Sequence, residues 1–364
     1  MRRDAILRPQ RGAVARPLAI GIGSRDLEAF RDKEKGLQRK SLKAVGAIAV
    51  LALFAFVLWV LSRQLRGINY QEVVAALGET PRERVLIATG LVVLSYTALT
   101  LYDFLGFRYA GHPLAYRVMA LPAFICYAMS NNIGMSILGG VAFRYRFYSA
   151  MGLSKFAIAK IVVFCSLTFW LGLLAMSGVV FLWEPFPQIA GLPFAGGSVL
   201  SLGLSLLVIV GGYMLACWWR GGAKLTIRGW TLTLPTWGMA LCQIAVASLD
   251  WLCASSVLYA LMPESMGLSY GHVVALYMVA TTVGLISNVP GGLGVIETIF
   301  VMALSPQVPP QAVLGAVLAF RALYYFLPLI VAVLLFGVAE ITPLVRHLGR
   351  FGPHSKPRDS TVER

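Results

Sequence analysis

Four ionisable side chains lie within or at the end of apolar stretches of this sequence. They are Asp103, Asp250, Glu297 and Arg321. A charge at the centre of a bilayer costs about 2.5 to 3.5 kcal/mol on insertion scales, so each of these residues needs a partner or water. Arg321 could pair with Glu297 or Asp250. Such a pair is either purely structural or part of a polar path for a substrate, and the sequence leaves both open.

Two segments share a polar, glycine-rich pattern. Residues 130–134 read S-N-N-I-G and residues 287–291 read S-N-V-P-G, and more glycine follows each. Irregular backbone at membrane depth is tolerated only where protein or water surrounds it. The pattern predicts two broken helices, and glycine-rich helix packing is the alternative. The candidate substrate-binding residues of these segments are Asn131, Asn132, Gly134, Gly139, Gly140, Asn288, Pro290, Gly291, Gly292 and Gly294.

Two arginines, Arg144 and Arg146, follow the first of these segments and are flanked by aromatic residues. Such a cluster is often an anchor at the membrane interface. A guanidinium also offers a bidentate fork that matches a lipid phosphate. The sequence supports an anchor and a head-group contact equally.

The composition indicates which elements position these residues. Hydrophobic residues make up 58% of the chain and charged residues 13%, with a mean hydropathy of +0.75. Soluble domains are about 45 to 50% apolar and about 25% charged, so a soluble enzyme is excluded. The net charge of +15 sits at the ends and loops of apolar segments. That placement favours membrane orientation over nucleic-acid binding.

Uncharged runs of near 20 residues, the length that crosses a bilayer, predict about six helical spans. They are Ala44–Leu61, Val85–Tyr102, Ile161–Trp183, Val199–Trp219, Leu234–Leu261 and Ala312–Ala339. The broken runs Val118–Phe143 and His272–Leu304 are predicted to be re-entrant hairpins, because full crossings would place basic loops outside. In the first hairpin, arms of about 18 and about 14 Å would be too short to span alone. An eight-span arrangement is the alternative.

This threading predicts an all-α polytopic membrane protein built from two inverted repeats, an arrangement common in secondary transporters. Residues 1–43 form a basic cytoplasmic segment, 44–183 the first repeat, 184–198 an external loop, 199–345 the second repeat and 346–364 a basic cytoplasmic tail. The loop between the first two spans is assigned to the outside although it contains four arginines. Both termini are therefore expected in the cytoplasm.

Other chemistries have little support in the sequence. The five cysteines fall inside apolar runs without a C-x-x-C pair or a nearby histidine, so no metal site is expected. The phosphate-binding pattern G-x-x-x-x-G-K-[ST] does not occur, so no nucleotide hydrolysis is expected. We expect no cofactor.

Three motifs together resemble the lysylphosphatidylglycerol synthase transmembrane family. They are residues 130–153 (S-N-N-I-G-M-S-I-L-G-G-V-A-F-R-Y-R-F-Y-S-A-M-G-L), 286–297 (I-S-N-V-P-G-G-L-G-V-I-E) and 319–329 (A-F-R-A-L-Y-Y-F-L-P-L). That family includes the flippase half of the bacterial multiple peptide resistance factor. The resemblance implies a bacterial inner-membrane protein that moves a lipid between leaflets. Carried over by residue, it implies roles for Asn131, Gly134, Gly139, Gly140, Arg144, Arg146, Asn288, Pro290, Gly291, Gly292, Gly294, Glu297 and Arg321.

The chain departs from full-length resistance factors in one respect. Only about 20 polar residues follow the last predicted span, so we expect no aminoacyl-transferase domain and no enzyme activity. The sequence predicts a translocase for an anionic or aminoacylated phospholipid such as lysylphosphatidylglycerol, with membrane phospholipids as partners. A separate lipid synthase and a second copy of the chain are further candidate partners. The alternatives are an ion-coupled small-solute transporter or channel, a membrane-embedded lipid enzyme, and a non-transporting partner of a lipid-modifying enzyme.

Overall fold

The computed structural model describes residues 78, 80–133, 136–184, 196–227, 230–287, 289–304 and 308–341. The predicted N-terminal segment, the span Ala44–Leu61 and the tail 346–364 lie outside the described residues. So do Gly134, Asn288 and most of the loop 184–198.

The described chain is predominantly helical, as predicted. Its α-helices are α1 Arg82–Tyr109, α2 Tyr116–Ile133, α3 Ser136–Ala150, α4 Lys155–Trp183, α5 Gly196–Arg220, α6 Trp237–Leu261, α7 Tyr270–Ile286, α8 Val295–Leu304, α9 Pro310–Arg321 and α10 Leu327–Ile341. Short 3₁₀ turns occupy Glu264–Met266 and Pro290–Gly292, and a π-helical turn, Ala322–Phe326, joins α9 to α10. A small antiparallel hairpin of β1 Lys224–Ile227 and β2 Trp230–Thr233, absent from the all-α prediction, lies between α5 and α6.

Five helical stretches among the described residues are long and apolar enough to cross a membrane. They are Arg82–Tyr109, Lys155–Trp183, Val199–Arg220, Trp237–Leu261 and Pro310–Val338. Each overlaps one of the predicted spans. Within such segments the backbone satisfies its own hydrogen bonds, which is the condition for a helix in lipid.

Small residues set the closest helix contacts. A Cβ atom on Gly172 of α4 would lie 2.4 Å from the Cβ of Ala247 on α6, so only glycine fits this crossing. Gly178 of α4 and Gly203 of α5 approach each other similarly. Contacts of this kind are typical of helices packed in membranes, where backbones approach closely. Outward-facing leucine, valine and tryptophan side chains on α5 and α10 remain exposed, as a lipid-facing surface requires.

Each broken run forms two helices that pack against each other. Helix α2 ends at Ile133 and α3 begins at Ser136, while α7 ends at Ile286 and α8 begins at Val295. The first pair is longer than predicted, because α2 has 18 residues and α3 has 15. The prediction ended the arms at charged residues, whereas the helix continues past Arg144 because that side chain is neutralised within the protein.

The hairpins begin and end at opposite ends of α1. Near its C-terminus, Thr100 bonds to Tyr116 at the start of α2 over 2.6 Å, and Asp103 pairs with Arg144 of α3. The hydroxyl of Tyr109 donates to the carbonyl of Thr233 at the same end. At the other end, Arg84 donates to the carbonyl of Met262, in the connection that leads to α7. We name these the Tyr109 end and the Arg84 end.

Candidate functional site

A cavity of about 100 Å³ lies where the two hairpins meet. Ser130 and Asn131 line it from the last turn of α2, and Gly291 and Gly292 line it from the turn between α7 and α8. Asp250 of α6 also faces it. Further wall residues include Phe169, Trp251, Tyr277, Thr281, Tyr324 and Tyr325. This space is large enough to hold water molecules.

Arg321 fastens the second hairpin to α9. Its guanidinium pairs with both carboxylate oxygens of Glu297, the second at 3.0 Å. The same group donates to the carbonyl of Gly291 at 2.8 Å and to that of Gly292 at 2.9 Å. Arg321 is 2% exposed and Glu297 is partly accessible. The predicted pairing of Arg321 with Glu297 is confirmed, and the arginine in addition holds the glycine turn.

Glycine is required in this turn because the backbone is left-handed there. Gly291 and Gly292 both have φ of 60°, and Gly294 has φ of 77°. Side chains are disfavoured at such angles. At Gly292 a Cβ atom would also approach Ile296 to 3.2 Å. The turn delivers the chain into α8 with Glu297 in its first turn, where the helix dipole favours a carboxylate, as predicted.

The π-helical turn exposes backbone carbonyls toward α1 and α2. Pro328 has no N–H, so the carbonyl of Tyr324 lacks its usual helical partner four residues on. The hydroxyl of Tyr96 donates to that carbonyl at 3.1 Å, and the amide of Asn132 donates to the carbonyl of Tyr325 at 3.2 Å. Turns of this type are frequent at functional sites.

Asp250 is surrounded by hydroxyl groups. Ser95 donates to one carboxylate oxygen at 2.6 Å, and Tyr102 donates to the other at 3.1 Å. The Ser95 hydroxyl is also 2.9 Å from that of Tyr324. Asp250 is 4% exposed, and no lysine or arginine of the described residues forms an ion pair with it. Arg321, the other partner considered for Asp250, is instead paired with Glu297.

Arg144 and Asp103 form a second buried ion pair, near the Tyr109 end. The Nε and one terminal nitrogen of Arg144 each donate to a different carboxylate oxygen of Asp103, both at 2.9 Å. Tyr148 donates to the same carboxylate at 2.7 Å, and the guanidinium lies 4.6 Å from the ring centre of Tyr127. Arg144 is thus neither an interface anchor nor open to a head group in this conformation, because Asp103 occupies its fork. Tyr102 and Asp103 are likewise fully buried, so neither side chain lies at a membrane interface.

The remaining predicted residues divide into two groups. Asn131, Asp250, Gly291 and Gly292 line the cavity. Pro290 and Gly294 belong to the same turn as the two glycines but are not part of the cavity wall. Gly139 and Gly140 lie within helix α3, and Arg146 lies about two turns further along the same helix. Asn132 lies inside α2 rather than in a loop, and its amide donates to the carbonyls of Ala128 and Tyr325. This occupied amide contradicts the expectation that it faces an anionic group.

Sequence reasoning missed the hydroxyl and aromatic partners of the buried charges. Asp103 was placed at the end of a predicted span. Ser95 and Tyr324 were not recognised as partners of a charge, because each is a single polar residue in an apolar run. Arg144 gave no signal either, since Arg108 and Arg220 also extend helices beyond apolar runs and are exposed. Among the described residues, no group of three or more histidine, cysteine, aspartate or glutamate side chains is placed to hold a metal ion.

Comparison with known proteins gives a consistent result. The family described as lysylphosphatidylglycerol synthase TM region matches residues 46–332. An uncharacterized protein of Synechocystis is 35% identical over 84% of this chain and 93% of its own length. The inner membrane protein YbhN of Escherichia coli is 32% identical over the same shares. The phosphatidylglycerol lysyltransferase of Staphylococcus haemolyticus is 25% identical over 82% of this chain, which corresponds to 34% of that enzyme.

Proposed function

Since the chain belongs to the lysylphosphatidylglycerol synthase TM region family, we propose that it moves a phospholipid between the leaflets of a membrane. The observation that carries the proposal is the meeting of two broken helices at a polar cavity inside a bundle of apolar helices. Broken helices that meet near the midplane form the substrate site in many secondary transporters. The substrate's charged head group would use this site while its acyl chains stay in lipid.

The proposal includes two inverted repeats whose hairpins dip into the bilayer from opposite faces. In its support, the first hairpin starts and ends at the Tyr109 end, and the connection to the second lies at the Arg84 end. The order of elements also recurs. A long helix, a helix pair and a long helix occur as α1 to α4 and again as α6 to α10. With the positive-inside rule, the Tyr109 end and both termini are cytoplasmic, in a bacterial inner membrane.

The proposed substrate class is an anionic or aminoacylated phospholipid, and lysylphosphatidylglycerol is the leading example. The staphylococcal relatives bear the name phosphatidylglycerol lysyltransferase, and this chain matches about a third of their length. In the proposed cycle, a phosphate competes with Glu297 for Arg321, and an ammonium group competes with Arg321 for Glu297. The cavity is too small for a head group in the present conformation. For the substrate to enter, the contacts of Arg321 must therefore break, so that the second hairpin separates from α9.

Fluorescent-lipid translocation in proteoliposomes tests the proposal. Phosphatidylglycerol, its lysyl ester and phosphatidylethanolamine are compared with the purified wild-type chain and with Glu297→Gln and Arg321→Lys. We expect translocation by wild type and at least a tenfold loss in both variants. Glu264→Gln is the matched control, because Glu264 is an exposed carboxylate at the Arg84 end. Absence of translocation by a folded wild type refutes the function, and full activity of both variants refutes the site.

A small-solute transporter is the second candidate, and the size of the cavity favours it. A cavity of about 100 Å³ is smaller than the pockets of about 300 to 1,000 Å³ that hold drug-sized ligands, and this favours an ion or a small molecule. In the same liposomes, uptake of a small solute without lipid translocation would identify this class.

A further inference from the structure

Asp250 differs from the other carboxylates buried among the described helices. Asp103 and Glu297 each form an ion pair with an arginine, whereas Asp250 receives hydrogen bonds from Ser95 and Tyr102 alone. Two hydroxyl donors do not neutralise a charge. A buried carboxylate without a cation costs several kcal/mol, and such a group usually takes up a proton instead.

The groups around Asp250 add no positive charge. The titratable side chains that face it from its own helix and from α1, α7 and the π-helical turn are Tyr96, Tyr102, Cys253, Tyr277, Tyr324 and Tyr325. Arg321 lies against the ring of Tyr325, and its charge is already balanced by Glu297. Helix α4 contributes Phe169 to the shared cavity wall and no charged residue.

A route for a proton joins Asp250 to the cavity. Asp250 and Tyr324 both line the cavity, and the Ser95 hydroxyl bridges them at 2.6 and 2.9 Å. When the carboxylate is ionised, Ser95 donates to it and can accept from Tyr324. When the carboxyl is protonated, both bonds can reverse, because each hydroxyl donates and accepts. The cavity has room for the waters that would bring the proton.

We propose that Asp250 is a proton-binding site that couples lipid translocation to a transmembrane proton gradient. The inference rests on the proposed function for its coupling step. One proton from water adds to a carboxylate oxygen of Asp250 and gives a neutral carboxylic acid, and the reverse step returns it. The tips of both hairpins line the same cavity as Asp250. The charge of Asp250 therefore changes the electrostatic energy of opening the cavity toward either face of the membrane. Tyr325 links Asp250 to the Arg321–Glu297 pair. It lines the same cavity as Asp250, and its ring lies 5.8 Å from the Arg321 guanidinium.

Two measurements on the full chain in lipid nanodiscs and proteoliposomes test the inference. Infrared difference spectra over a pH titration should contain a protonated carboxyl band that persists above about pH 6, where exposed carboxyl groups are ionised. Asp250→Asn, which has the same shape, should lack the band, and Glu264→Gln should retain it. No such band in wild type, or an unchanged band in Asp250→Asn, overturns the proton site without reference to transport.

The second measurement tests coupling. With one proton per lipid, a gradient of one pH unit should shift the steady-state ratio of a fluorescent phosphatidylglycerol between leaflets about tenfold in wild type and Glu264→Gln. Whatever translocation Asp250→Asn retains should lack that shift. Wild-type translocation that ignores the gradient overturns the coupling. Failure of wild type to translocate any lipid instead refutes the proposed function and its coupling step, while the infrared band still decides the proton site.

Discussion

Arg144 and Asp103 are joined by two hydrogen bonds of 2.9 Å in a fully buried, bidentate ion pair. The pair connects the outgoing arm of the first hairpin to the helix that packs most extensively against α6. Because Tyr148 donates to the same carboxylate, the pair belongs to a network rather than to an isolated contact.

Loss of either partner should destabilise the protein strongly. Arg144→Ala leaves Asp103 buried without a counter-charge, which costs about 3 to 5 kcal/mol. The double variant Arg144→Met with Asp103→Asn should recover much of that loss, since it buries no unpaired charge. Thermal unfolding in detergent measures both, and Arg82→Ala, an exposed arginine on α1, should change little. Equal melting temperatures for Arg144→Ala and wild type would contradict a structural role for the pair.

The fold was largely predictable because membrane-spanning helices can be identified in a sequence from their length and their apolar composition. The five described spans follow from uncharged runs, and the turn at Gly291 and Gly292 follows from glycine. The partners of the buried charges were not predictable, because Asp103 and Arg144 are 41 residues apart and only packing brings them together. The β-hairpin was missed because each of its strands has only four residues.

Exchanging the charges of the second ion pair should fail to restore function. In Arg321→Glu with Glu297→Arg, a carboxylate at 321 would face the carbonyl oxygens of Gly291 and Gly292, which now receive hydrogen bonds. We expect the double exchange to remain as inactive in lipid translocation as either single variant, within about twofold. A simple ion pair would be rescued by the exchange. Rescue to wild-type rates would therefore show that the glycine carbonyls do not depend on Arg321.

The contact between α4 and α6 should tolerate no side chain at Gly172. Gly172→Ala places a Cβ atom 2.4 Å from the Cβ of Ala247 and should cost about 1 to 3 kcal/mol through helix displacement. Ala247→Gly in the same chain should recover part of the loss. Gly211→Ala on α5 is the matched control, because its Cβ would meet nothing within 4 Å. Denaturation midpoints in detergent compare the variants, and a neutral Gly172→Ala would contradict the close crossing.

Labelling of single cysteines should place the two ends of the bundle on opposite sides of the membrane. Ser149 is exposed in the last turn of α3 at the Tyr109 end, and Ser265 is exposed in the connection at the Arg84 end. In a background without the five native cysteines, an impermeant maleimide added to intact cells should label Ser265→Cys and spare Ser149→Cys. Lysed cells control for reactivity, since both sites should then react. If the first hairpin crossed the bilayer completely, the loop with Ser149 would lie outside, and its labelling in intact cells would refute the re-entrant arrangement.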